Sequence, residues 1–319
     1  MMKRLGCLGV LALIVAVICA FYSWYGRGPA EAAVRVSIAE GTGLRAASHQ
    51  LQEAGIINSA ARFRLFARLL GGGQLKSGQY RFKSHESAAE ILAQLQSGKT
   101  VQMLVTIPEG MPSIMVRDRL MAEMELTGDV SVPAEGSVLP ESYSFDAGEK
   151  RAAVLKRMQA AMGKALAEEW DKRSATSVAT SPEKAIILAS IVEKETALAS
   201  ERPLVAGVYS NRVRLGMKLQ ADPTVIYPVT KGRPLGRRIL KSELAADNGY
   251  NTYLKPGLPA GPIANPGRAA IAAVLNPADT KALYFVANGK GGHNFSETLS
   301  GQNENVHKWF ALRRARGEM

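Results

Sequence analysis

The stretch SPEKAIILASIVEKETALASERP, residues 181–203, combines an apolar helical pattern with three glutamates in its second half. Its first three residues, Ser-Pro-Glu, form a helix start. Serine caps the first turn, proline suits the first helical position, and an acid there complements the helix dipole. The pattern predicts a helix that runs to about Ser200, because Pro203 then interrupts it.

The three glutamates fall on different sides of this predicted helix. At about 100° per residue, Leu188 and Ile191 lie on an apolar stripe, and Glu195 lies near the centre of that stripe. Glu193 lies on the other side, and Glu201 also lies away from the stripe. We therefore expect Glu193 and Glu201 at the protein surface and Glu195 alone on the face that packs inward.

A lone carboxylate on an apolar helix face is costly to ionise. Either it has a partner, or its pKa rises because burial disfavours the charged form. A carboxyl that stays protonated near neutral pH can act as a general acid. The pattern therefore leaves two roles open for Glu195: a catalytic acid, or a structural partner of an arginine such as Arg212 or Arg214.

The composition restricts the class of protein. The chain has 319 residues, of which 46% are hydrophobic, and a formal net charge of +12, which suits nucleic acid, anionic lipid or an acidic polymer. The sequence has neither zinc-finger spacing nor an aromatic-flanked basic motif, so we predict no nucleic-acid partner.

Both cysteines, Cys7 and Cys19, fall in the first apolar segment, and the four histidines are widely separated. We therefore predict no metal and no other cofactor.

The N-terminus carries a candidate membrane anchor. After Lys3 and Arg4, residues 5–25 contain no charge, and at about 1.5 Å per residue they would span a bilayer core of roughly 30 Å. The basic pair predicts a cytoplasmic tail, residues 1–4, with the rest of the chain outside the cytoplasm. Trp24 and its tyrosine neighbours suit an interfacial aromatic belt. Because these bulky residues stand where a small-residue cleavage site would follow the apolar run, we favour a retained single-pass anchor over a cleaved signal peptide.

The remaining patterns predict a mixed α+β chain. After a linker, residues 26–33, alternating and helical stretches predict a β-α-α-β unit at the start of a first domain, residues 34–106. A second α+β region, residues 107–319, has its core at 181–319. This core includes a stretch rich in Gly, Pro, Asn and Tyr, residues 219–267, which we interpret as a long loop. Loops of that length are usually functional.

Several long motifs resemble those of the endolytic murein transglycosylase family, also called the YceG-like or MltG family. These motifs are ASIVEKET (189–196), SERPLVAGVYSNRVRLGMKLQADPTVIY (200–227), YNTY (250–253), GLPAGPIANPG (257–267), LYFVANGKGGHNFS (283–296), NVHKW (305–309), SGQYRF (77–82) and IPEG (107–110). Together with the anchor, the resemblance spans nearly the whole chain.

The resemblance implies a lyase that cuts the MurNAc-GlcNAc strands of peptidoglycan internally and leaves 1,6-anhydro-muramic ends. Its catalytic residue would be Glu195, the second glutamate of EKET, which the helical pattern selects independently. One acid suffices because the muramic C6 hydroxyl is the nucleophile, whereas an ordinary glycosidase needs two carboxylates. If the enzyme were a hydrolase instead, Asp222 would be the best second acid.

Seven further residues are predicted to bind substrate or brace the cleft. They are Gln220, Asp222, Thr224, Tyr250, Asn251, Thr252 and Tyr253. The first three could equally form a structured turn, since Asp-Pro-Thr caps well locally. The last four offer hydroxyl, amide and aromatic groups for a sugar, although one tyrosine could simply pack in the core. His293 is predicted to be structural, and Glu141 to be structural or an accessory of the cleft.

The resemblance also implies a setting for the enzyme. The first domain would be a LysM-like module that helps to hold glycan. The protein would act at the inner membrane on nascent strands, ending glycan elongation, beside cell-wall synthases. Two rival functions stay open: a non-catalytic peptidoglycan-binding scaffold of the wall-synthesis machinery, and a hydrolytic muramidase.

Overall fold

A computed structural model describes residues 2–71, 73–100 and 103–318, without the side chains of residues 2–13. In this part of the chain the helices are α1 (Met2–Tyr25), α2 (Leu44–Glu53), α3 (Ala60–Leu70), α4 (Ala88–Ser97), α5 (Ser113–Ala122), α6 (Arg151–Asp171), α7 (Pro182–Glu195), α8 (Arg202–Arg214), α9 (Asp222–Thr230), α10 (Lys241–Leu244), α11 (Arg268–Leu275) and α12 (Leu299–Ala315). The strands are β1 (Val34–Ile38), β2 (Gly78–Phe82), β3 (Met103–Thr106), β4 (Ser142–Phe145), β5 (Tyr284–Ala287) and β6 (His293–Ser296). Helices and small sheets together confirm the predicted α+β class.

The chain divides into two compact units. Unit 1 comprises residues 1–103 and 144–147, and unit 2 comprises residues 104–143 and 148–319. All the residues of the candidate site lie in unit 2.

Unit 1 contains the predicted β-α-α-β order, from β1 through α2 and α3 to β2. The two strands pair antiparallel, with Val36 opposite Tyr80. Tyr80, Phe82 and Leu51 are fully buried in the core of this unit. The Tyr80 hydroxyl donates to the Lys76 carbonyl at 2.7 Å, so its polar end is satisfied inside the core.

Trp24 lies in the core of unit 1 instead of in an exposed aromatic belt. Its side chain is 3% exposed and packs against Phe63 and Phe66 of α3, with ring centroids 5.8 and 5.3 Å away. Burial of so large an aromatic surface favours this position.

The predicted span, residues 5–25, begins among residues whose side chains lie outside the described part. Among the described residues, no helix is long and apolar enough to cross a membrane.

Helix α7 forms the centre of unit 2. It packs against α6, α8 and α11, and its residues Leu188, Ile191 and Val192 are fully buried. Ser181 caps the helix as predicted, accepting the Lys184 N–H. The predicted apolar stripe is therefore the surface that joins α7 to its neighbouring helices.

Helix α7 ends at Glu195, five residues before the predicted end at Ser200. Thr196 is extended, with φ −139° and ψ 131°, and its hydroxyl accepts the Leu198 N–H at 3.1 Å. A threonine that bonds nearby backbone offers the chain an alternative to the helix. This early end places the Glu195 carboxyl at a helix terminus, next to a turn.

The stretch 219–267 contains helix α9 and the short helix α10, so its interpretation as one long loop was wrong. Two prolines in α9 obscured the first helix: Pro223 suits its first turn, whereas Pro228 lies inside it. Strands β4 and β6 were also missed. Each has only four residues, which is too short for a clear alternating pattern.

Candidate active site

Glu195 and Tyr209 form the centre of the candidate site. Glu195 ends α7, and Tyr209 lies within α8, which packs against α7. The Tyr209 hydroxyl donates to Glu195 Oε1 at 2.9 Å. Tyr209 is 1% exposed, whereas Glu195 keeps part of its surface open to solvent. A buried tyrosine thus holds one oxygen of the Glu195 carboxyl in place.

Burial raises the pKa of Glu195 to about 7, because densely packed protein disfavours its charged form. The Asp222 carboxylate raises this pKa as well, while the Tyr209 hydrogen bond and the positive charge of Arg212 lower it. At neutral pH a substantial share of Glu195 therefore carries a proton. That state is the one a general acid needs.

The arginines proposed as structural partners bind elsewhere. Arg212 donates to the backbone carbonyls of Leu219 and Leu283, both at 2.7 Å. Arg214 donates to the Asn211 side chain at 2.8 Å. Glu195 is hydrogen-bonded to Tyr209 instead, so the interpretation of Glu195 as the partner of an arginine is not supported.

Asp222 is a second carboxyl in the same electrostatic environment. It is exposed at the first turn of α9, and the Tyr253 hydroxyl donates to its Oδ1 at 2.5 Å. Burial raises the pKa of Tyr253, and this hydrogen bond to Asp222 raises it further, so the phenol keeps its proton. The site thus combines one carboxyl inclined to stay protonated with one carboxylate held by a phenol.

Thr224 and Thr252 brace the turn that carries Asp222. Both are buried, and their hydroxyl oxygens lie 2.9 Å apart. The Gln220 N–H donates to the Thr252 carbonyl at 3.1 Å, and Gln220 is exposed with a φ of +53°. Thr224 and Thr252 therefore hold this turn in place, while Gln220 and Asp222 are exposed beside it.

Asn251 and Tyr250 also hold the wall in place. Asn251 Nδ2 donates to the carbonyls of Leu244 and Ala246 at 2.9 and 3.0 Å, and Asn251 Oδ1 accepts the Tyr253 N–H at 2.9 Å. Tyr250 packs on Tyr227, with ring centroids 5.0 Å apart. These contacts fix the position of Tyr253, the residue that binds Asp222.

Glu193 is buried, so the expectation of a surface position was wrong. Its side chain is 4% exposed, and its two oxygens meet Arg202 at 3.2 Å and the Gly267 N–H at 2.9 Å. Arg202 also pairs with Glu109 of the IPEG motif at 2.6 Å. Burial raises the pKa of Glu193. A helical wheel of α7 alone could not predict the burial of Glu193, because the partners in this network come from α8 and two distant loops.

Gly267 is required by this network. A Cβ atom at this position would overlap the Glu109 carboxylate. The last glycine of the GLPAGPIANPG motif therefore lets Glu109 approach the backbone beside Glu193.

Glu201 is also largely buried, at 14% exposure of its side chain, and not at the surface as predicted. It accepts the His293 N–H at 2.8 Å, its Oε2 lies 2.8 Å from His293 Nδ1, and the Thr196 hydroxyl donates to it at 3.2 Å. Although burial acts in the opposite direction, the hydrogen bonds from His293 lower the pKa of Glu201. His293 thus has the predicted structural role: it ties β6 to the turn that follows Glu195.

Glu141, the last of the predicted residues, is bonded to Ile107 rather than to Glu195. Glu141 is exposed, and its backbone carbonyl accepts the Ile107 N–H at 2.9 Å. Within the described part of the chain, no group of three or more His, Cys, Asp or Glu side chains could hold a metal ion.

Replacing Tyr209 with phenylalanine should raise the pKa of Glu195 further. The hydroxyl favours the ionised carboxylate, so its loss removes about one pKa unit of stabilisation of the charged form. Titration of carbon-13-labelled Glu195 by NMR measures this directly. Asp222→Asn is the matched variant with the opposite expected effect, because removing a nearby negative charge should lower the pKa of Glu195. Equal values in wild type and both variants would contradict this electrostatic description.

The chain matches one family of known proteins along most of its length. A sequence model of the YceG-like family matches residues 36–308. A Bacillus subtilis protein named endolytic murein transglycosylase is 26% identical over 87% of this chain and 85% of its own length. A Streptococcus pneumoniae protein of the same name is 28% identical over 80% of this chain and 54% of its own length.

A solved structure shows the same likeness. The crystal structure of a YceG-like protein from Listeria monocytogenes is 28% identical in sequence, with a TM-score of 0.55. The match covers 85% of this chain and 98% of the Listeria chain.

Proposed function

The chain belongs to the YceG-like family, and on that premise we propose that it is an endolytic murein transglycosylase. It cleaves MurNAc-GlcNAc strands within the chain and leaves 1,6-anhydro-muramic ends. The names of its relatives from Bacillus and Streptococcus support this reaction. The observation that carries the proposal is the Glu195 carboxyl at the end of α7, hydrogen-bonded to Tyr209 and with a pKa of about 7.

In the first step, protonated Glu195 donates its proton to the glycosidic oxygen. The bond between this oxygen and muramic C1 breaks, and the leaving sugar departs with a free hydroxyl. Positive charge develops on C1 and the ring oxygen, as in other glycosyl transfers. A carboxyl that is already protonated at neutral pH makes this donation possible without an acidic medium.

In the second step, the same residue acts as a base. Glu195 is now a carboxylate and accepts the proton of the muramic C6 hydroxyl, whose oxygen closes on C1. The Tyr209 hydrogen bond stabilises the carboxylate form at this stage. No water is consumed, and Glu195 ends the cycle protonated, as it began.

Asp222 stabilises the positive charge at C1 between the two steps. Its carboxylate is held by Tyr253 and influences Glu195 electrostatically. The substrate N-acetyl group can share this task. Gln220, Asp222 and Tyr253 contact the sugar in this proposal, while Thr224, Tyr250, Asn251 and Thr252 hold them in place.

We further propose that residues 5–25 anchor the protein in the inner membrane, with both units outside the cytoplasm. The uncharged sequence of this segment supports this placement. Unit 1 acts as a LysM-like module that holds glycan, which its β-α-α-β order supports. Attachment next to cell-wall synthases brings the site to nascent strands, where cleavage ends elongation.

Mass spectrometry of the products tests the proposed reaction. Purified, uncrosslinked glycan strands are incubated with the full chain in detergent, and new ends are identified. We expect 1,6-anhydro-muramic ends from the wild type and, more slowly, from Asp222→Asn. Reducing ends that vanish in Asp222→Asn would show a muramidase with two acids. Retained glycan binding without any new ends would show a scaffold.

A further inference from the structure

Unit 2 contains a cavity of about 450 Å³ that the reaction described above does not use. We call it the side pocket. Its wall includes Met111, Met115, Lys194, Pro223, Ile226 and Leu235. A volume of several hundred cubic ångströms and a mostly apolar lining with few polar groups are typical of ligand sites.

The side pocket borders the candidate site along two separate elements. Lys194 of α7 directly precedes Glu195, and Pro223 of α9 directly follows Asp222. The pocket and the candidate site therefore share the last turn of α7 and the first turn of α9.

The charges of the side pocket favour an anionic ligand. The Glu109 carboxylate is paired with Arg202 at 2.6 Å, and Arg233 is paired with Asp118. Lys194 is an exposed residue, its ammonium lies a long 3.5 Å from the Gly110 carbonyl, and its charge also acts on the buried Glu193 carboxyl. An apolar floor therefore lies beside a cation that is open to a carboxylate.

We propose that the side pocket binds the peptide stem carried by the muramic residue whose glycosidic bond is cleaved. This inference rests on the proposed function. The lactyl ether that bears the peptide is on C3 of that sugar, two ring bonds from the reacting C1. The peptide must therefore leave the cleft close to the acid.

The chemistry of a stem peptide matches the pocket. Such a peptide presents methyl groups of alanine residues and free carboxylates, which suit the apolar floor and Lys194 respectively. Contacts with this non-reacting part of the substrate position the sugar and raise kcat/KM. The side pocket thus makes the enzyme selective for strands that still carry peptides over strands that have lost them.

Binding to an inactive enzyme tests the pocket independently of catalysis. The full chain carrying Glu195→Gln is titrated with uncrosslinked strands that bear stem peptides, and with the same strands after amidase removal of the peptides. We expect Kd to be about tenfold lower for the peptide-bearing strands, a ratio typical of one favourable ionic and apolar contact set. Equal Kd values would overturn the inference whether or not the protein cleaves glycan.

Two variants locate the effect. Lys194→Glu reverses the charge at the pocket, and Met115→Trp fills its floor. Each should reduce the roughly tenfold preference for peptide-bearing strands by a factor of at least about three. Lys184→Glu makes the same charge change at an exposed site on the same helix and should leave the ratio unchanged. Because Lys194 is exposed, its variant tests the pocket even if Met115→Trp fails to fold.

Cleavage by the wild-type enzyme then separates the two proposals. Faster formation of anhydro ends on peptide-bearing strands supports both. A binding ratio that Lys194→Glu removes, without anhydro ends from either substrate, supports the pocket and rejects the proposed reaction. Anhydro ends formed at equal rates, with Lys194→Glu affecting both substrates alike, support the reaction and reject the pocket.

Discussion

In the Glu195→Gln variant, kcat/KM for cleavage of glycan strands should fall at least about a thousandfold, while the protein keeps its fold. General acid catalysis typically contributes a factor of about 10² to 10⁴, and here one residue serves as acid and then as base. Glutamine keeps the shape of the protonated carboxyl but can neither give nor take the proton. The measurement is the rate at which anhydro-muramic ends form from uncrosslinked strands.

The stability of this variant provides its control. The folded-state pKa of Glu195 lies above its unfolded value, so the wild type loses stability as pH rises from about 4.5 to about 7. Glutamine does not ionise and avoids this loss. We therefore expect the variant to match the wild type near pH 4 and to be more stable by about 3 kcal/mol near pH 8. An inactive variant that is also unfolded would not support the catalytic role.

The Arg202→Met variant should be destabilised by about 3 kcal/mol at neutral pH, since removing one partner of a buried ion pair leaves the other charge uncompensated. This expectation concerns mainly Glu193, whose side chain is 4% exposed, because Glu109 is 41% exposed and can be hydrated. Methionine keeps much of the volume of arginine, so the lost charge dominates. Denaturant unfolding followed by circular dichroism measures the free energy of unfolding.

The pH dependence distinguishes this effect from simple loss of packing. Without Arg202, the pKa of Glu193 in the folded state rises above its already raised value. Stability is then lost as pH rises above about 4.5, the unfolded value, so the difference from wild type should shrink on acidification. Arg214→Met, on an exposed part of the same helix, should change stability little at any pH. A pH-independent loss in Arg202→Met would contradict the role of Glu193.

The sequence predicts the helices of this fold well where one apolar face is continuous. The β-α-α-β order in unit 1 is as predicted, because its strands and helices have clear periods and clear stops. The end of α7 was misplaced because the Thr196 hydroxyl competes for backbone hydrogen bonds that a helical wheel does not consider. Helix α9 was missed because an internal proline usually argues against a helix.

The candidate site was predictable only in part. The position of Glu195 follows from its helix alone, since one carboxyl on an apolar stripe stands out. Tyr209 was not predicted, because a tyrosine inside an apolar helix is commonly a core residue, and its hydrogen bond depends on how α7 packs on α8. The burial of Glu193 and Glu201 also depends on partners more than 70 residues away, Gly267 and His293. Such pairings arise from tertiary structure and leave no local pattern.

The central claim is that one carboxyl, Glu195, works with a nucleophile from the substrate and without water. Cleavage of uncrosslinked strands in water enriched in oxygen-18, followed by mass spectrometry of every new muramic end, tests this claim most directly. We expect ends that carry no oxygen-18 and are lighter than reducing ends by one water molecule. New ends that each carry one oxygen-18 atom would show that water attacks C1 and would contradict the account.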